Sequence, residues 1–167
     1  MLLEFSVSNF LSFGEQCTFS CKATSERNHG ERVSQGPRRS QRILPTAVIF
    51  GANGSGKSNL VRALQVCRQL VLREPAADER LPVVPFRLGK EAEEAISGFT
   101  VTFLVQEDIF RYHIALTAER IVEESLHQIR AASEKEVFSR KAPKNETGKW
   151  SIGIKDQLRK DDANFLD

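Results

Sequence analysis

The chain has 167 residues, 40% of them hydrophobic and 28% charged, with a formal net charge of +2. This is enough apolar material for one core, and it excludes a membrane-spanning segment, because no apolar run reaches the length that a bilayer demands. The N-terminus lacks the basic-then-apolar pattern of a signal peptide, so the cytoplasm is the expected location and one domain over residues 1–167 the expected organisation. A charge this small argues neither for nor against a nucleic-acid partner.

In chain order, Leu2 to Phe10 opens with apolar and polar residues alternating from Leu3 to Val7, as in a half-buried strand. Ser12-Phe-Gly-Glu15 supplies a turn, and Gln16 to Lys22 alternates again with Cys17, Phe19 and Cys21 on one face. Those cysteines read as buried reduced thiols. Three cysteines without a C-x-x-C pair, and three scattered histidines, give no metal-ligand spacing. Ala23 to Arg42 reads as an exposed loop rich in Ser, Gly, Asn and Gln. From Lys22 on it carries six basic residues (Lys22, Arg27, Arg32, Arg38, Arg39, Arg42) against Glu26 and Glu31. A solvated loop is the plain reading; a nucleic-acid contact is the sharper one, and the aromatics that would stack on bases are missing.

Thr46-Ala-Val-Ile-Phe50 is a short apolar run that suits a buried strand, and Gly51-Ala-Asn-Gly-Ser-Gly-Lys-Ser58 follows it. From Asn59 to Leu72 apolar residues at 60, 61, 64, 67, 70 and 71 line one helical face. Strand, glycine-rich turn and helix are the context that makes a G-x-x-x-x-G-K-[ST] match a phosphate-binding loop. Gly51, Gly54 and Gly56 permit a backbone path along which successive N–H groups point at phosphate oxygens, and the helix start adds the positive end of its dipole. Lys57 then reaches the β- and γ-phosphates and the Ser58 hydroxyl ligates Mg²⁺. The expected nucleotide-binding set is Gly51, Ala52, Asn53, Gly54, Ser55, Gly56, Lys57, Ser58 and Asn59, with Lys57 as the catalytic cation, Ser58 as the metal ligand, and ATP with Mg²⁺ as cofactors.

Arg73-Glu-Pro75 ends the helical pattern, and Pro82 and Pro85 keep the next stretch irregular. Phe99 to Val105 and Ile109 to Leu116 are two β-rich runs around a polar break at Gln106-Glu-Asp108, which predicts a hairpin. Glu119 to Ile129 fits a third strand or a short helix, since Ile121, Val122, Leu126 and Ile129 settle neither period. Glu134 to Arg140 and Lys149 to Ile154 flank Pro143 to Gly148 as a second hairpin would. Internal repeats are absent.

The layout resembles a known superfamily. Asn9-Phe-Leu-Ser-Phe13 after a first strand, then a second strand and G-A-N-G-S-G-K-S-N-L, is similar to the ABC-type heads of SMC proteins, RecF and their relatives. The start M-L-x-E-F-S-V-x-N-F-x-S-F, the Ala after the first loop glycine and Pro85-Phe-Arg-Leu88 before a hairpin resemble bacterial AAA-type ATP-binding proteins of anti-phage and abortive-infection systems. The resemblance spans most of residues 1–130. It implies an α/β fold: a P-loop NTPase, the N-terminal lobe of an ABC-type head with an antiparallel β subdomain. It also implies a head that sandwiches ATP between the P-loop of one subunit and the signature of another, in a DNA-maintenance or anti-phage complex. Leu11 departs from the Lys or Arg that relatives carry there. A Ser-Gly-Gly signature is missing, and Ser97-Gly98 precedes a strand where a signature would open a helix. The resemblance thus implies the N-terminal lobe alone, completed by self-association or by a C-terminal lobe that supplies signature and Walker B; nucleic acid and an effector protein are the further partners it suggests.

Two alternatives stand beside this. One is a nucleotide-sensing interaction module that does not hydrolyse. The other is a compact kinase or GTPase, in which Val101 to Val105 is a Walker B strand and Asp108 holds Mg²⁺, Glu107 being the other acid there. The N-K-x-D of guanine recognition does not occur.

Overall fold

The computed structural model describes residues 1–25, 28–37, 41–73, 79–88, 96–143 and 151–154. Its strands are β1 (Leu2–Ser8), β2 (Cys17–Ser20), β3 (Ser34–Gln35), β4 (Arg42–Ile43), β5 (Ser97–Val105), β6 (Asp108–Leu116), β7 (Ile121–Ile129), β8 (Glu134–Lys141) and β9 (Ser151–Ile154), with one α-helix among the described residues, α1 (Lys57–Leu72). Seven strands form a single sheet in the order β2-β1-β5-β6-β7-β8-β9, and every pairing in it is antiparallel. From β5 onward the sheet is a meander of hairpins. β1 joins it across a long excursion, because the chain leaves β2, builds α1 and returns beside β1 as β5.

The alternation in β1 places Phe5 and Val7 in the main core, where the Phe5 and Phe99 rings stack at 6.5 Å and Phe10 meets Phe99 edge-on at 5.2 Å. An irregularity between Leu2 and Glu4 sets Leu3 apart from them, and it belongs to a second cluster with Cys21, Ile43 and Ile109. α1 covers the main core with Ala63 and Cys67 fully buried and Leu60, Leu64, Val66 and Leu70 half-buried. Val61 and Val71, expected on the inward face, are about half exposed. The apolar positions span a wider arc of α1 than the face that meets the core, so the valines at its margins stay partly in water.

The hairpin of β5 and β6 forms around Gln106 and Glu107, with Gln106 at φ 52° in the left-handed region and Asp108 already paired with Val105. The segment after Thr117 resolves as strand. Thr117 Oγ1 accepts the amides of Glu119 and Arg120 at 3.2 Å each and turns the chain back, so that β7 pairs with β6 along its whole length. The period was unreadable because an inward position holds Glu124, whose carboxylate accepts from Tyr112 Oη at 2.7 Å and from Arg140 Nε. β8 and β9 form the last hairpin, and residues 144–150 between them lie outside the described residues.

Two expectations in this region are corrected, the strand at Thr46 to Phe50 and the burial of Cys17. Thr46 to Phe50 is not a strand: it pairs with nothing in the sheet, and Val48 and Phe50 are 70% and 89% exposed. An apolar run becomes a buried strand only beside partner strands, and among the described residues none lies next to it. Ala23 to Arg42 has no buried residue among those described, as an exposed loop should, and it carries a 3-10 turn at Gly30–Arg32 and β3, which pairs with β4 at its end; Arg27, Arg38 and Arg39 fall outside the described residues. Cys17 is exposed because β2 is an edge strand, whereas Cys21 and Cys67 are buried, and all three are free thiols. Burial pushes the Cys67 thiol up to about 12 and raises Cys21 as well.

Candidate functional site

The glycine-rich loop sits directly ahead of α1 and is exposed from Gly51 to Ser55. Gly54 at φ 80° and Gly56 at φ 90° occupy the left-handed region, which the sequence provides for with glycine at both. At Gly51 a Cβ would lie 2.8 Å from Ser55 Oγ, so a larger residue there would turn that hydroxyl aside. Lys57 begins α1 and folds back over the loop, its Nζ donating to Gly51 O at 2.8 Å and Ala52 O at 2.7 Å, with Ser55 Oγ at 3.5 Å. The ammonium is thus held over the concave side of the turn. Ser58 lies exposed in the first helical turn, and α1 has no side-chain cap and no acid in that turn. The first helical amides at Lys57 and Ser58, left-handed glycines and one positioned cation form a donor set of the kind that accepts a triphosphate, while the amides of Asn59 and Leu60 already donate to Gly56 O; a hydroxyl beside the set suits a hard, oxygen-seeking cation.

The Asn9–Phe13 turn reaches this loop. Asn9 and Leu11 have φ of 47° and 50°, and Phe10 and Phe13 exchange backbone hydrogen bonds at 2.9 and 2.8 Å. Asn9 holds the surroundings in place: its Oδ1 accepts Phe86 N at 3.1 Å, its Nδ2 donates to Ile96 O at 3.2 Å, and its carbonyl accepts Ser97 Oγ at 2.6 Å. Leu11 packs against the core and its amide donates to Val84 O at 2.8 Å. At the sequence level position 11 carries the interest. In the fold it is Ser12 that meets the loop, its Oγ accepting from Asn59 Nδ2 at 2.9 Å. No pattern in the sequence marks Ser12, because its approach to the loop depends on the positive φ of Asn9 and Leu11.

The alternative metal ligand is displaced from this place. Asp108 sits at the β5–β6 turn, the end of the sheet where the Met1 amino group meets Leu104 O. The Asn9–Phe13 turn follows Ser8 at the other end, opposite Gly98. β6 runs nine residues between the two ends, about 25 Å at strand rise. Asp108 is therefore a turn acid, and the compact-enzyme arrangement that needs it beside Ser58 is not formed. The described residues hold no cluster of three potential metal ligands.

A protein-family model described as "AAA domain, putative AbiEii toxin, Type IV TA system" matches residues 47–166. The chain belongs to this AAA-domain family. Membership carries a P-loop NTPase fold, nucleotide binding of the ATPase type, and the nucleotide–Mg²⁺ pair that such domains take. The matched stretch begins within the apolar run before the loop, so the AAA assignment and the loop geometry concern the same residues. No curated protein matches the chain. Among the described residues no helix is long and apolar enough to cross a membrane.

Proposed function

We propose that this AAA-domain chain is the ATP-binding lobe of an ABC-type, SMC/RecF-like head, with residues 1–167 as one unit. The observation that carries the proposal is the loop of Gly51–Ser58 opening α1 with Lys57 folded over it. Residues Gly51 to Ser55 present backbone amides to the phosphates, Gly56 and Asn59 shape the helix start, Lys57 neutralises the β- and γ-phosphates, and Ser58 ligates Mg²⁺. The metal, when bound, draws charge from the phosphate oxygens. Lys57 lets go of two carbonyl oxygens to meet a more strongly charged acceptor, an exchange that charge-assisted hydrogen bonding favours.

A water-activating base comes from outside the described residues on this reading, since Asp108 is remote and Lys57 cannot accept a proton. Val48, Ile49 and Phe50 support the same conclusion from the packing side. An apolar strand-former leading into the loop, exposed along its length, suits pairing with strands of a C-terminal lobe or of a second copy. ATP then acts as a bridge between two surfaces, in a DNA-maintenance or anti-phage complex in the cytoplasm, where nucleic acid or an effector protein would read the bridged state. The experiment is a titration of the 167-residue chain with ATP and Mg²⁺, followed by steady-state phosphate release. The proposal expects saturable binding with release barely above background. Turnover at about one per second, the low end for kinases, that Asp108→Asn abolishes would overturn it.

A further inference from the structure

The loop is tied internally by Lys57 to Gly51 and Ala52 and by Ser55 N to Ala52 O at 3.3 Å. Among the described hydrogen bonds, the one that joins the beginning of α1 to the rest of the molecule through side chains is Asn59 Nδ2 to Ser12 Oγ, at 2.9 Å. Ser12 also stands over Gly56: a Cβ on that glycine would lie 3.0 Å from Ser12 Oγ. The serine is exposed and adds nothing to the core. Its neighbours are not so free. Phe10 is 2% exposed and set against Phe99, Leu11 is bonded to Val84, and the Asn9 side chain grips Phe86 and Ile96. Asn9 and Leu11 are both in the left-handed region; asparagine enters it readily, whereas a leucine does so where its surroundings hold it there. The outcome of the turn is to present one hydroxyl to the exit of the phosphate loop.

We propose that Ser12 is a positioning residue for the bound nucleoside triphosphate. It acts through Asn59 and Gly56, fixing the first turn of α1 against β1 and β5 so that the loop amides and Lys57 keep their direction when the phosphates arrive. Lys57 and Ser58 share that first turn with Asn59, so a hold on Asn59 is a hold on both. This inference rests on the nucleotide-binding reading above and adds to it a residue outside the P-loop motif.

The test uses the full chain and a fluorescent ATP analogue in Mg²⁺, with the thermal midpoint of the nucleotide-free protein measured alongside. Loss of one hydrogen bond of this kind corresponds to a several-fold effect, so Ser12→Ala is expected to raise Kd about five-fold. Ser12→Thr, which keeps the hydroxyl, is expected to restore affinity to within about two-fold of the parent. Asn59→Ala should weaken binding similarly, and the double variant should be no worse than the poorer single one, as partners in one contact behave. The thermal midpoint should stay unchanged in Ser12→Ala. Unaltered Kd in Ser12→Ala, additive losses in the double variant, or a Kd loss matched by a lowered midpoint each overturn the inference. Lys57→Ala in the same titration separates the two levels: if it loses binding and Ser12→Ala does not, only the positioning role fails, whereas if it too binds normally, the nucleotide reading fails.

Discussion

Ser97 Oγ donates to the backbone carbonyl of Asn9 at 2.6 Å, joining the first residue of β5 to the turn that faces the phosphate loop. Ser97 is fully buried, so the bond replaces water that the hydroxyl has lost. The Asn9 side chain adds two further bonds to Phe86 and Ile96 from a left-handed backbone that asparagine tolerates better than most residues. Asn9→Ala should therefore cost about 1–2 kcal/mol, by removing both side-chain bonds, of which the one to the Phe86 amide is partly buried, and adding backbone strain. The midpoint of urea unfolding measures this. A loss below about 0.5 kcal/mol, the scale of an ordinary surface change, would mean that the turn is not held this way.

The two left-handed glycines of the loop should separate in behaviour. Gly54→Ala meets open space, so its cost is the backbone conformation alone, about 1–2 kcal/mol. Gly56→Ala carries the same cost and must also displace the Ser12 hydroxyl at 3.0 Å. Gly56→Ala is expected to be the more destabilised in thermal unfolding, and Ser12→Ala in that background should recover part of the difference. Equal midpoints would show that Ser12 exerts no steric control over the loop.

Much of the fold was legible because local chemistry and tertiary environment agree. The alternation of β1, the two hairpins and the helix opened by Gly56-Lys57 all follow patterns whose period survives burial on one face. What was not legible depended on partners. Thr46 to Phe50 has the composition of a buried strand but no neighbour among the described residues, and composition cannot report a missing neighbour. Glu124 disguised β7, because its carboxylate is satisfied by Tyr112 and Arg140 from flanking strands that are separate in sequence. The place of the glycine-rich loop at the start of α1 was readable from spacing. Ser12 was not, because its approach to Gly56 and Asn59 depends on the positive φ of Asn9 and Leu11, which the residue types do not announce.

The exposure of the segment before the loop gives a sharp contrast. Phe50→Ser should change stability by no more than about 0.5 kcal/mol, as for a surface residue, since Phe50 is 89% exposed. Phe99→Ala should cost about 3–5 kcal/mol, because Phe99 is fully buried between Phe5 and Phe10. Both are read from chemical denaturation of the 167-residue chain. A large loss in Phe50→Ser would place that side chain in a core after all.

His113 gives a pH dependence of defined sign. Its Nδ1 lies 2.9 Å from Thr100 Oγ1, and burial lowers its pKa, with Glu123 opposing that shift. The unfolded chain therefore binds the proton first as pH falls below the ordinary histidine value of about 6.5. The contribution of His113 to stability is present above that value and is lost as pH falls through the lower, folded one. Unfolding midpoints at pH 7.5 and 5.5 should differ more in the parent than in His113→Gln. An equal pH response in the two proteins would remove His113 as the source.

Nucleotide binding at the loop depends most directly on Lys57, whose ammonium lies within 2.8 Å of two loop carbonyls. Equilibrium titration with a fluorescent ATP analogue in Mg²⁺, run on the parent chain and on Lys57→Ala, tests it. Without this cation the loop amides alone must balance the β- and γ-phosphate charge, so affinity should fall at least about tenfold. Circular dichroism should show the same fold in both proteins. Equal affinity in the two would contradict the account, because the loop would then not be the place where the nucleotide binds.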